Sequence, residues 1–124
     1  MLDSQPLIAF SATRDGDRAR SFYEGVLGLR LVSDDPFALV FDARGTMLRI
    51  QKVDDPRPHP FTSLGWQVDE LEALMSALAV RGVTFERYPG LGQDEHGVWT
   101  APGGAKIAWF KDPDGNTLSL SCFP

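Results

Sequence analysis

Along this 124-residue chain the spacing of apolar positions changes several times, and each change marks an element. Leu7 to Thr13 is a short apolar run between Pro6 and the polar Arg14-Asp15-Gly16-Asp17, which predicts a strand. From Asp17 to Gly28, Ala19, Phe22, Tyr23, Val26 and Leu27 recur at helical spacing, with acidic residues at the start and a glycine stop. Strands are predicted at Leu29 to Ser33, Phe37 to Phe41 and Thr46 to Val53, with turns at Asp34-Asp35-Pro36 and Asp42-Ala43-Arg44-Gly45. The alternating prolines of residues 54–60 predict a stiff linker that carries His59 as a solvated loop residue.

The pattern then restarts. Phe61 to Gln67 reads as a strand, and Asp69-Glu70-Leu71-Glu72 as a capping box with Asp69 at the N-cap. The helix behind it places Leu71, Leu74, Met75 and Leu78 on one face and stops at Arg81-Gly82. Val83 to Tyr88, Val98 to Thr100, Lys106 to Lys111 and Thr117 to Cys122 read as strands, and Pro89 to Gly97 as a glycine-rich, charged loop. Asp15 and Gly28 bracket the first helix at the same separation as Asp69 and Gly82 bracket the second. The Asp42-to-Ile50 hairpin matches Asp112 to Leu120: Asp, two residues, Gly, two residues, Leu, one residue, Ile or Leu. The expected architecture is a single α+β domain over residues 1–124. It holds two βαβββ modules in tandem, 6–53 and 61–122, joined by the 54–60 linker. Their curved mixed sheets are expected to surround a cleft, with the helices outside.

Composition narrows the function. Twelve Lys and Arg against seventeen Asp and Glu leave a formal charge of −5, which argues against a nucleic-acid backbone as partner. No apolar run approaches the length of a membrane span, and the N-terminus lacks the pattern of a secretory signal. The one cysteine, Cys122, excludes an internal disulfide, fits a reducing cytoplasm and reads as a small core residue. Strand alternation then separates two faces. Leu48 and Ile50 oppose Met47, Arg49 and Gln51; Leu64 and Trp66 oppose Ser63, Gly65 and Gln67; Leu118, Leu120 and Cys122 oppose Thr117, Ser119 and Ser121. In the first strand, alternation leaves open whether Ile8, Phe10 and Ala12 or Leu7, Ala9, Ser11 and Thr13 join the polar side. That side is either ordinary solvated sheet or the wall of a ligand cleft.

Ser21-Phe22-Tyr23-Glu24-Gly25-Val26-Leu27-Gly28-Leu29 resembles the helix end of the vicinal oxygen chelate superfamily, the glyoxalase/bleomycin resistance/dioxygenase proteins, and Asp112-Pro113-Asp114-Gly115-Asn116 is similar to its turn before the last strand. With the duplicated layout, the resemblance covers about residues 6–122. It implies paired modules that curl sheets around a cavity, and a homodimer. The family's metalloenzymes place metal ligands at positions that correspond here to Ile8, Arg49, Ser63 and Ser119. None of these is an imidazole, carboxylate or thiolate, so no metal and no other cofactor is expected. The resemblance therefore implies a protein that binds a small organic molecule without a metal. The expected ligand-binding residues are Ile8, Phe10, Met47, Arg49, Gln51, Ser63, Trp99, His96 and Ser119, with Trp99 as a stacking surface and His96 as a pocket-edge donor or general base. The alternatives are a lyase- or dioxygenase-type enzyme of the same fold, metal-dependent or using Arg49 and His96, and an interaction domain without a ligand. The cues on the ligand conflict: the acidic surface suits a cation, whereas Arg49 favours an anion.

Overall fold

In the computed structural model, which describes residues 1–124, Met1 to Arg57 form one unit and Pro58 to Pro124 another. In the first unit a 3-10 turn at Leu2–Ser4 precedes β1 (Ile8–Thr13), α1 (Gly16–Arg20), β2 (Arg30–Asp34), β3 (Ala38–Ala43) and β4 (Thr46–Lys52). The sheet order is β1-β4-β3-β2. β1 lies parallel to β4, and the other pairs are antiparallel. A parallel pair needs a long crossover, and the segment containing α1 supplies part of it. Asp15 starts that helix because its carboxylate accepts the Arg18 N–H at 3.1 Å. Leu39, Phe41, Leu48 and Ile50 share the helix side of the sheet and are buried with Ala19 and Tyr23, whose ring lies 5.9 Å from that of Phe41.

The second unit repeats the plan with β5 (Thr62–Gln67), α2 (Leu71–Val80), β6 (Trp99–Thr100), β7 (Lys106–Lys111) and β8 (Thr117–Cys122), in the order β5-β8-β7-β6. Again the first and last strands pair in parallel. Leu118, Leu120, Ala108 and Phe110 are buried, as are Leu71, Met75 and Leu78 of α2. The two matching turns are built differently. Arg44 (φ 49°) and Gly45 (φ 93°) give two successive left-handed residues, the geometry of a tight hairpin. In the other, the buried Asp112 carboxylate accepts N–H groups from Asp114 and Asn116 and the Asn116 side-chain amide. The α+β architecture of two four-stranded mixed sheets with few helices is the predicted one.

Three local predictions differ from the structure. The first helix is not continuous from Asp17 to Gly28: the α-helix ends at Arg20 and a wider π turn covers Ser21–Val26. In this turn Phe22 sits edge-on to the fully buried Tyr23, with centroids 5.3 Å apart. The predicted capping box at Asp69 does not form. Sheet bonding continues through Val68 N–H to the Ser121 carbonyl, so the chain turns later, and Glu70 occupies the N-cap with no side-chain cap bond. Val83 to Tyr88 is not a strand beyond a single bridge between Phe85 and Phe110. Gln93 explains the loss, because its side chain accepts the Tyr88 N–H at 2.7 Å and donates to the carbonyls of Glu86 (2.9 Å) and Gly97 (2.8 Å). Backbone groups that a neighbouring strand would otherwise take are thereby satisfied.

Candidate functional site

The register resolves the ambiguity in the first strand. Ile8 pairs with Met47, Phe10 with Arg49 and Ala12 with Gln51, so these residues share the face turned away from the helix-side core. Thr13, on the opposite side, is 1% exposed, whereas Ile8, Phe10 and Met47 are 44%, 53% and 40% exposed. Val40 of β3 pairs with Arg49, and Ala38 with Gln51. Five predicted residues, Ile8, Phe10, Met47, Arg49 and Gln51, thus come together on one sheet face of the first unit. Apolar side chains surround Arg49 on this face, with Gln51 on one side and the Asp42 and Arg30 side chains toward the β2 edge. Arg49 is half-buried, and its side chain makes no hydrogen bond or ion pair within the chain. On the same face, toward β2, a hollow of about 200 Å³ is lined by Arg30, Val32, Val40, Asp42 and Met47 but not by Arg49 itself.

Carboxylates near this face have partners of their own. Asp35 accepts the backbone N–H groups of Phe37 (2.7 Å) and Ala38 (2.9 Å). Those two bonds hold its carboxyl below the usual range, and the charges of Arg49 and Lys52 add to the effect. Asp42 accepts the Gly45 N–H at 3.0 Å and lies 4.0 Å from Arg30.

In the second unit the predicted residues separate. Ser119 pairs with Gly65 and Trp109, and Trp99 with Ile107, which puts Ser119 and Trp99 on the face away from α2. A Cβ on Gly65 would meet the Ser119 hydroxyl at 2.6 Å, so this crossing of β5 and β8 requires the missing side chain. Ser63 falls at the bulge between Thr62 and Leu64 and spends its hydroxyl on the Thr117 carbonyl at 3.2 Å. His96 lies elsewhere, in a groove of about 280 Å³ with Glu72, Met75, Ser76 and Phe85. The loop that carries it is braced by Gln93 and by Arg87, which donates to the Asp94 carbonyl at 2.7 Å. Asp94 in turn accepts the Val98 and His96 N–H groups, and these lower the pKa of its carboxyl.

Sequence reasoning missed Trp109. It lies across from Ser119, 6.1 Å from Trp99 and 5.5 Å from Tyr88, and donates to the Thr62 hydroxyl at 3.1 Å. Alternation in β7, where Ala108 and Phe110 are buried, was the available signal.

This fold and these motifs define a class. The model of the Glyoxalase/Bleomycin resistance protein/Dioxygenase superfamily matches residues 8–120, and the chain belongs to that superfamily. A superfamily member from Sphaerobacter thermophilus is similar at 23% identity, with 98% of this chain and 99% of that chain covered and a TM-score of 0.75. A lactoylglutathione lyase from Agrobacterium tumefaciens matches at 18% identity, 96% and 93% coverage and a TM-score of 0.74. Oxidase ChaP-H2 matches at 18% identity, 97% and 94% coverage and a TM-score of 0.73. At these identities the likeness shows the fold. No curated protein matches the sequence.

The metal that the resemblance implies does not suit the residues at the corresponding positions. Ile8 has no donor atom, Arg49 is a cation, and the hydroxyls of Ser63 and Ser119 are weak neutral ligands. No group of three or more His, Cys, Asp or Glu elsewhere is arranged to hold an ion. No helix is long and apolar enough to cross a membrane.

Proposed function

We propose that this protein binds a small organic molecule directly through protein groups, with no metal ion, on the sheet face that carries Arg49. The reading rests on one observation: where the resemblance implies metal donors, this chain has an unpaired guanidinium among exposed apolar side chains. Apolar surface with a few convergent polar groups is what small-molecule sites consist of. We further propose that the protein is cytoplasmic and a homodimer, the latter testable by light scattering.

The test combines metal analysis of the purified protein with thermal-shift screening against small organic acids, amides and amines. The expected result is a substoichiometric content of Zn, Ni, Fe and Mn, together with a raised melting temperature in one ligand class, because a ligand that binds only the native state must stabilise it. A stoichiometric divalent ion would overturn the metal-free reading in favour of a lyase- or dioxygenase-type enzyme. No shift with any class would leave an interaction domain.

A further inference from the structure

We infer that the ligand of this face is an organic carboxylate with a small apolar body, whose two oxygens are held by the Arg49 guanidinium. The inference rests on the proposed small-molecule reading and names its ligand class. Three observations carry it.

The first is charge. A half-buried guanidinium with no hydrogen-bonded acceptor has lost part of its hydration, offset only through space by the Asp35 carboxylate, and an incoming anion restores the balance. The carboxylates of Asp35 and Asp42 do not fill this role, since each is engaged by backbone N–H groups.

The second is shape. Guanidinium is a planar fork of parallel N–H donors that matches a carboxylate in bidentate fashion. Arg49 supplies both a positive charge and two parallel donors from the protein itself.

The third is the surroundings. Val40 is the cross-strand partner of Arg49, Phe10 flanks it on β1, and Met47 lies two residues away on the same face. Val40 and Met47 also line a hollow of about 200 Å³ that extends toward β2 with Arg30 and Asp42, smaller than the roughly 300–1,000 Å³ of sites for drug-sized ligands. It therefore fits a body of about one ring. An amine offers no acceptor to the fork and adds a like charge beside Arg49. A neutral amide gives it one oxygen where a carboxylate gives two.

Nuclear magnetic resonance titration with benzoate, benzamide and benzylamine at millimolar concentration tests the assignment on the intact chain. Benzoate is expected to shift the Arg49 side-chain Nε–H signal and to bind at least tenfold more tightly than benzamide, with benzylamine weakest. Arg49→Gln is expected to abolish the preference for benzoate over benzamide, and Arg49→Lys, which keeps the charge but not the fork, to retain only part of it. Phe10→Ala is expected to weaken benzoate and benzamide together. Equal binding of benzoate and benzamide, or a preference that survives in Arg49→Gln, would overturn the carboxylate assignment and leave the small-molecule reading standing. If none of the three probes binds, the carboxylate assignment fails, and if the thermal-shift screen is also silent, the small-molecule reading fails with it.

Discussion

Asp34 shows how a single side chain ties separate elements of the first unit. Its carboxylate accepts the Lys52 ammonium at 2.6 Å and the Arg20 guanidinium at 3.2 Å, while Arg20 also bonds Glu24 at 3.1 Å. These contacts join the end of β2, the end of β4 and the helical segment. An added Cβ at Gly16 would lie 2.7 Å from the Lys52 side chain, which would have to shift away. The Lys52 hydrogen bond, followed by that of Arg20, lowers the pKa of Asp34. A carboxyl depressed in the folded state contributes stability above its unfolded pKa, about 3.9, and the contribution disappears as pH falls through the folded value. Chemical denaturation of the natural protein and Asp34→Asn is therefore expected to give a stability difference that favours the natural protein and is constant from neutral pH to about pH 5. The difference should shrink below about pH 4. A gap unchanged by acid would show that the carboxylate charge is not its source.

Between the elements, the segment from Tyr88 to Val98 carries more structure than its composition suggests. Gln93 makes three hydrogen bonds to backbone groups of Tyr88, Glu86 and Gly97, and so replaces strand pairing that the second unit lacks there. Gln93→Ala leaves these partly solvated groups without their protein partner, at a cost of about 1 kcal/mol. The expected result is a lower melting temperature together with faster amide exchange at Tyr88. Unchanged exchange would mean that water serves the Tyr88 N–H equally well. This position also marks where the sequence stops being legible. Alternating apolar residues in β4 and β8 announced their faces correctly, because burial on one side of a sheet imposes a period of two. Two matching turns and two helix stops exposed the duplication. Nothing in residues 83–88 reveals that a side chain five positions further on takes the backbone bonds of Tyr88. The same holds for α2, whose start depends on how far β5 remains paired with β8. On the candidate site, period and register placed Arg49, Met47 and Gln51 with Ile8 and Phe10, all within one sheet. His96 lies in a turn-rich loop and Trp99 opens the two-residue strand β6, too short for spacing to carry information about face.

The charge of the whole molecule bears on how an anionic ligand would arrive. The chain carries a formal charge of −5, so a carboxylate approaching it from a distance meets net repulsion, and only close to Arg49 does the local field become attractive. The two contributions respond differently to salt. Long-range repulsion is screened as the Debye length falls from about 30 Å at 0.01 M to about 8 Å at 0.15 M, whereas a half-buried contact is screened much less. Raising salt over this interval is expected to speed association of benzoate by about twofold, while dissociation changes little, since the contact that must break is a short-range one at the half-buried Arg49. A cationic ligand would show the opposite trend, because the same net charge attracts it and screening removes the attraction. Relaxation-based exchange measurements on the benzoate complex at the two salt concentrations separate the two rates. Association slowed by salt would place the ligand under the molecule's overall negative field, as for a cation, and would contradict anchoring at Arg49.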